Sequence, residues 1–76
     1  MEREEGGTMV RRNELIAARV RAGLTQDDAA RACGISKNSY NRKEIGRSAF
    51  TVDEVVKICE AFGISEPEQR AYIFLA

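Results

Sequence analysis

The sequence predicts a compact all-α domain made of five short helices. Apolar residues recur at helical spacing in successive segments, a capping side chain precedes most of these segments, and a glycine follows most of them. No segment shows the strict alternation of polar and apolar residues that predicts a strand. At 76 residues the chain suits one small domain, near the size at which a single core only just supports itself.

The first two helices are delimited by short-range signals. The segment NELIAARVRA (13–22) carries its apolar residues at helical spacing and is followed by Gly23, a natural helix stop. Thr25 then begins TQDD, which resembles a capping box with Asp28 in place of the usual glutamate. This second helix is short, because AARAC is followed directly by Gly34.

The third helix is predicted from residue 37 to residue 44 or 45, with Ser36 as its N-cap and Gly46 as its stop. At about 100° per residue, Asn38, Asn41 and Arg42 fall on one side of this helix, with Lys37 at the edge of that side. Tyr40 falls on the opposite side, which predicts that the helix buries its tyrosine and exposes its amides and cations.

The last two helices each begin with a predicted capping box. Thr51 begins TVDE, in which Glu54 supplies the acid, and an apolar stripe follows. Ser65 begins SEPE, where Pro67 is tolerated in the first turn, and the helix runs towards Phe74.

The two ends of the chain lead to different expectations. Residues 1–9 are polar at their start and lack periodicity, so they are interpreted as a disordered arm or an extension, and residues 10–76 as the domain. The tail AYIFLA has four large apolar residues in a row. It forms either a homodimer surface or a segment that folds back onto its own core; the residues concerned are Tyr72, Ile73, Phe74 and Leu75.

The chain carries 12 basic and 12 acidic residues, but their distribution is uneven. Residues 9–47 hold nine Lys or Arg against four Asp or Glu, a balance of +5, whereas residues 1–8 and 48–76 balance at −2 and −3. The positive central segment suggests a polyanionic partner. An exposed basic surface without a partner is the alternative.

Other functional classes find little support in the sequence. The chain has no histidine, no metal-ligand cluster, no nucleophile motif and no phosphate-binding loop, so no enzyme, cofactor, metal or small-molecule ligand is predicted. Cys33 and Cys59 lack zinc-site spacing and are predicted to be reduced core residues. No apolar run approaches the roughly 18 residues of a membrane span, and no signal peptide is recognisable, so the expected location is the cytoplasm.

The exposed side of the third helix carries the side chains that read base edges. Asn can bond adenine through two hydrogen bonds, Arg or Lys can bond guanine, and a helix fits the major groove of B-DNA. A solvated polar face is the alternative, although such a face would more often use Glu and Lys than Asn, a poor helix former.

From about Leu15 to Ser65 the sequence resembles the lambda-repressor-like, or Cro and XRE-type, helix-turn-helix family. The resemblance lies in GLTQDDAARACGIS (23–36), in Arg42, Glu44 and Gly46, and in TVDEVVKICEAFGIS (51–65). The run SYNRKEIGRSAFT and the ending IFLA are similar to small repressor-like proteins of Gram-positive bacteria and their prophages.

The resemblance implies a DNA-binding role for individual residues. Gln26 would bond a phosphate, the start of the third helix at Ser36, Lys37 and Asn38 would contact bases, and Arg47 would touch a phosphate. Asn41 and Arg42 lie further along the side that faces the groove. Arg19 and Glu44 match a pair that forms a largely buried salt bridge, so Arg19 is expected to support the fold.

Three positions depart from the family pattern. Ala29 and Cys33 stand where leucine is common, and the larger Tyr40 is predicted to fill the space that they leave. Lys43 stands where an apolar residue is common, so its stem is expected to extend outwards and reach a phosphate. Ile45 replaces the usual asparagine before the glycine, which leaves the end of the third helix open.

The resulting prediction is sequence-specific binding of double-stranded DNA by a small, repressor-like transcriptional regulator. Its recognition helix is placed at about residues 36–45, in the major groove. The alternative is a protein–protein interaction module on the same fold, such as an antirepressor or an antitoxin-like adaptor, which the acidic C-terminal part and the zero net charge favour.

Overall fold

Five helices and a small antiparallel sheet make up the computed structural model, which describes residues 7–75. The elements, in chain order, are β1 (Met9–Val10), α1 (Arg12–Arg21), α2 (Gln26–Cys33), α3 (Lys37–Glu44), α4 (Val52–Phe62), α5 (Pro67–Ile73) and β2 (Phe74–Leu75). The predicted five-helix fold is confirmed, and the helices lie within one or two residues of the predicted bounds.

The sheet joins the two ends of the described chain, and no pattern in the sequence predicts it. Met9 pairs with Leu75 and Val10 with Phe74. Thr8 also pairs with Phe50 through two reciprocal backbone hydrogen bonds of 2.8 Å. Residues 8 and 9 are therefore paired within the fold, so a disordered arm does not include them. The sequence did not reveal this pairing, because strands of two residues are too short to show an alternation and their partners lie far along the chain. Residues 1–6 of that predicted arm lie outside the described residues.

The predicted helix starts are confirmed for α2 and α4. The side-chain oxygen of Thr25 accepts a hydrogen bond from the backbone N–H of Asp28, and the Asp28 carboxylate accepts one in return from the backbone N–H of Thr25. Thr51 and Glu54 form the same reciprocal pair at α4. The capping box predicted at Ser65 is wrong: α5 begins one residue later, because its proline takes the first helical position, where a missing N–H costs nothing.

The core lies between the helices and the sheet. Its fully buried large side chains include Tyr40, Phe50, Leu15 and Ile58, each 0% exposed. The Tyr40 and Phe50 rings lie 5.9 Å apart between centroids, and Phe50 lies 6.0 Å from Phe74. The interior position of Tyr40, in the same cluster as the small Ala29, agrees with the predicted compensation of volume.

Both cysteines are buried and unpaired, as the sequence predicts. Burial raises the pKa of the Cys33 thiol to about 11. Burial also raises the pKa of the Cys59 thiol. Both side chains therefore stay protonated near neutral pH and act as small apolar core residues.

The end of α3, which the sequence left open, is a Schellman motif. The N–H of Gly46 bonds the carbonyl of Lys43 at 3.2 Å, and the N–H of Arg47 bonds the carbonyl of Arg42 at 2.8 Å. Gly46 has a φ of 88°, the left-handed conformation that this motif requires and that glycine adopts without strain. Ile45 takes the preceding C-cap position and does not disturb the motif.

The carboxylate of Glu44 joins three helices. Only 1% of this residue is exposed, yet its oxygens accept hydrogen bonds from three side chains. Arg19 of α1 donates from Nε at 2.9 Å, Gln26 of α2 from its amide at 3.0 Å, and Tyr40 of α3 from its hydroxyl at 2.7 Å. The predicted Arg19–Glu44 salt bridge is present, and Arg19 also donates to the carbonyl of Leu24 at 2.9 Å.

These partners set the charge state of Glu44. Burial alone would raise the pKa of its carboxyl, but the hydrogen bonds from Arg19, Tyr40 and Gln26 outweigh it, so the pKa lies below its ordinary value. The carboxylate is therefore charged at neutral pH. Its interactions contribute stability above the pKa that Glu44 has in the unfolded chain, and this contribution is lost as the pH falls through the lower folded pKa.

Replacing Gly46 by alanine is expected to destabilise the domain by about 1–2 kcal/mol, because a Cβ is unfavourable in the left-handed conformation. No heavy atom lies within 4 Å of the position that this Cβ would take, so the cost comes from the backbone alone. Urea denaturation measures the loss. Gly46→Asn serves as the control and should lose less stability than Gly46→Ala, because asparagine tolerates the left-handed conformation. Equal stability of wild type and Gly46→Ala would contradict the prediction.

Replacing Tyr40 by phenylalanine is expected to cost about 1.5–3 kcal/mol at neutral pH, because the ring stays and only a hydrogen bond to a charged group is removed. The difference in stability from the wild type should then narrow as the pH falls through the pKa values that Glu44 has in the two folded proteins, because a protonated Glu44 gains less from the Tyr40 hydroxyl. Urea denaturation at several pH values measures both effects.

Tyr72→Phe is the matched control for this prediction. Tyr72 is 53% exposed, so losing its hydroxyl should change the stability little at any pH. If the difference in free energy of unfolding between wild type and Tyr40→Phe stays constant down to acidic pH, the charge of Glu44 is not the cause of that difference.

Candidate nucleic-acid interface

One face of α3 presents polar side chains to solvent. Lys37, Asn38 and Arg42 are exposed and Asn41 is half-buried, whereas Tyr40 on the other side is fully buried. The helix thus has the orientation that its sequence predicts, with amides and cations outward and the tyrosine inward. Its eight residues are long enough for one face of two turns, which is the length that a recognition helix lays in a groove.

Ser36 begins this helix as its N-cap. Its hydroxyl oxygen accepts a hydrogen bond from the backbone N–H of Ser39 at 3.1 Å, which confirms the predicted cap. The side chain is exposed, and its hydroxyl hydrogen remains available to an outside acceptor. Ser36 can therefore both fix the start of α3 and donate to a phosphate or a base.

Gln26 connects the exposed surface to the interior. It is the first residue of α2 and is half-buried, and its amide nitrogen donates one hydrogen bond to the buried Glu44 carboxylate. An amide nitrogen carries two hydrogens, so a second donor is left for an outside acceptor. The resemblance implied only a phosphate contact here; the bond to Glu44 is an additional role that the sequence did not reveal.

The prediction that Lys43 extends outwards is wrong, and the structure does not support a phosphate contact by its ammonium. Its ammonium lies 2.7 Å from a Glu54 carboxylate oxygen and donates to the backbone carbonyl of Ala49 at 3.1 Å. Its side chain is only 12% exposed. Lys43 lies on the same side of α3 as Tyr40, and nothing in the sequence identified an acidic partner on α4 close enough to hold the charge there.

The cations of the predicted interface are not neutralised within the described structure. No acidic side chain among residues 7–75 forms an ion pair with Lys37, Arg42 or Arg47. Arg31 and Lys57 differ, because each pairs with an aspartate four residues earlier on its own helix. The positive charge of α3 and the loop after it is therefore available to an anionic partner.

Among residues 7–75, no group of three or more His, Cys, Asp or Glu residues could hold a metal ion. No helix in the same range is long and apolar enough to cross a membrane.

Comparison with known families identifies the arrangement. A helix-turn-helix family model matches residues 15–69, from the first turns of α1 into α5, and so includes every interface residue from Gln26 to Arg47. Neither the curated proteins nor the solved structures contain a match to the chain. The matching family comprises DNA-binding domains and is not an enzyme family. With more than two thirds of its length matched, the chain belongs to the Cro/C1-type helix-turn-helix family of DNA-binding domains.

Proposed function

We propose that this protein is a small transcriptional regulator that binds double-stranded DNA at specific sequences and acts as a repressor. In this proposal α3 lies in the major groove and reads base edges. The observation that carries it is the exposed face of α3, which presents two amides and two cations that form no ion pair among residues 7–75. Tyr40 and Glu44 anchor the opposite side.

The base contacts are assigned to the start and middle of α3. Asn38 and Asn41 can each bond adenine through two hydrogen bonds, and Arg42 and Lys37 can bond guanine. Ser36 can donate to a base or a phosphate from the N-terminal end of the helix. These side chains follow the groove along one face, so changing one of them should alter the preferred sequence at one position.

The phosphate contacts are assigned to Gln26 and Arg47, on either side of α3. Gln26 offers its second amide hydrogen, and Arg47 is exposed just beyond the Gly46 turn. Such contacts hold the protein in register without reading the sequence. They also release counterions from the DNA, so they make the affinity depend on salt.

A homodimer is proposed through the part of the tail that remains exposed. The structure divides the four apolar tail residues: Ile73 and Phe74 are 2% and 5% exposed and belong to the core, whereas Tyr72 and Leu75 are 53% and 41% exposed. The proposed surface is therefore reduced to Tyr72 and Leu75, together with Met9, which pairs with Leu75 in the sheet. A second copy on this surface would bind the second half of an operator site.

A protein-binding module on the same fold is the second candidate function. Exposed apolar side chains favour it, since Val52 is 60% exposed and Val56 39%, both on α4. Beside Val52 lies an open groove of about 400 Å³, lined in part by Ile64 and Phe74. These features indicate a protein contact but leave the cationic face of α3 without a role, so DNA binding is the better supported function.

Alanine at Lys37 or Arg42 is expected to weaken DNA binding. On a duplex selected by the wild-type protein from random sequences, Arg42→Ala should lose about 1–3 kcal/mol of binding free energy, as expected for one specific base contact. Gel-shift titrations at several salt concentrations measure the affinity. The wild-type affinity should fall steeply with salt.

Lys57→Ala is the matched control for these variants. It removes one positive charge from α4, where Lys57 is already paired with Asp53, and should leave binding nearly unchanged. If the wild-type chain shifts no duplex, or shifts it equally at all salt concentrations, DNA binding is refuted and the protein-binding module becomes the leading hypothesis.

The double variant Tyr72→Ser, Leu75→Ser is expected to turn a dimer into a folded monomer, because both side chains are exposed and contribute little to the core. Sedimentation equilibrium measures the mass, and circular dichroism checks the fold. Val52→Ser, Val56→Ser is the control and should remain a dimer. A wild-type chain that is monomeric at all concentrations would exclude this interface.

A further inference from the structure

We propose that the Lys43–Glu54 ion pair positions the loop after α3 for DNA binding, by holding the backbone on both sides of Arg47. The loop comprises residues 45–50, between the end of α3 and the N-cap of α4. This inference rests on the proposed DNA-binding function and assigns a role to two residues that touch no DNA. Lys43 acts through Arg47, so it is a positioning residue.

The ion pair bridges the loop from one end to the other. Lys43 lies in the last turn of α3 and Glu54 in the first turn of α4, and their charged atoms are 2.7 Å apart. The same ammonium donates to the carbonyl of Ala49, near the far end of the loop, at 3.1 Å. One cation thus joins α3, the loop backbone and α4.

Hydrogen bonds that do not involve Lys43 also hold Glu54 in place. Its carboxylate oxygen accepts the backbone N–H of Thr51 at 3.0 Å, and its own N–H donates to the Thr51 hydroxyl at 3.1 Å. The capping box therefore fixes the carboxylate rotamer at the start of α4. A fixed acceptor gives Lys43 one defined position, so the pair can transmit the orientation of α4 to the loop.

The backbone around Arg47 is restrained on both sides of it. Before it, the Schellman hydrogen bond joins the N–H of Arg47 to the carbonyl of Arg42. After it, Lys43 holds Ala49, and Phe50 is paired with Thr8. These restraints fix the backbone position of Arg47. Its side chain is exposed, so the guanidinium remains free to contact a phosphate.

The energetics favour positioning over stability as the role of the pair. Both side chains are only 12% exposed, and replacing both partners of a buried ion pair by apolar side chains is often neutral or stabilising, because the desolvation of the two charges is avoided. Removing one partner alone is destabilising, because the other charge is left buried and unpaired. A methionine at position 43 could fill the same space with a side chain of similar length. It could not hold Ala49, however, because a thioether donates no hydrogen bond.

The test measures the binding of four proteins to a short duplex of mixed sequence at several salt concentrations: wild type, Arg47→Ala, Lys43→Met and the double variant. Arg47→Ala should reduce the slope of log affinity against log salt by about 0.9, the value for one phosphate contact. Lys43→Met should reduce it by a similar amount, although Lys43 itself reaches no phosphate. The double variant should lose no more than either single variant.

Two further variants make the result specific. Lys57→Met removes a lysine that is paired within α4 and should leave the slope unchanged. Glu54→Gln keeps an acceptor for both Thr51 and Lys43 and should retain most of the slope, since glutamine also serves in a capping box. The inference is overturned if Lys43→Met leaves the slope unchanged, or if the losses of Lys43→Met and Arg47→Ala add in the double variant.

Amide hydrogen exchange of the free protein separates this inference from the proposed function. Relative to the amides of α1, which report any general loss of stability, residues 46–50 should exchange faster in Lys43→Met than in Lys57→Met. Equal exchange in the two variants would refute the restraint of the loop, whatever the protein binds. Faster exchange in a protein whose wild type binds no duplex would instead refute DNA binding, and with it the role assigned to the pair.

Discussion

The buried carboxylate of Glu44 is the constraint on which the structure depends. Removing this charge from water costs several kcal/mol, and the fold compensates with donors from Arg19, Gln26 and Tyr40. Because these donors lie on α1, α2 and α3, all of them reach the carboxylate only when the three helices meet at one set of angles. The orientation of α3 is therefore fixed by the need to satisfy one buried charge, in addition to apolar packing.

This constraint matters because α3 is too short and too polar to be stable by itself. Isolated helices of fewer than about 12 residues are marginal in water, and asparagine is a poor helix former. The exposed face can carry Asn38 and Asn41 because the opposite face, with Tyr40, Lys43 and Glu44, is attached to its neighbours. These exposed asparagines, which have low helix propensity, are thus supported by interactions on the other side of the same two turns.

Local signals in the sequence were sufficient to predict most of the fold. Each confirmed helix start or end depends on residues within about five positions of one another, such as Thr25 with Asp28 or Gly46 with Lys43. The sequence did not predict interactions between residues that lie far apart along the chain. The sheet requires Met9 to pair with Leu75. The position of the Lys43 side chain depends on Glu54, which the sequence identifies as a capping residue of α4 but not as a partner of a lysine on α3.

The same distinction between local and distant partners explains how a chain with no net charge can offer a cationic surface. Arg19 and Lys43 are paired across helices in the interior, and Arg31 and Lys57 are paired along their own helices. A count of charges includes these four cations, yet their charge is already balanced by a neighbouring carboxylate. Lys37, Arg42 and Arg47 have no such partner among residues 7–75. The field that DNA would meet is therefore set by which cations remain unpaired and where they lie. The total charge of the sequence is therefore a poor guide to whether this fold binds a polyanion.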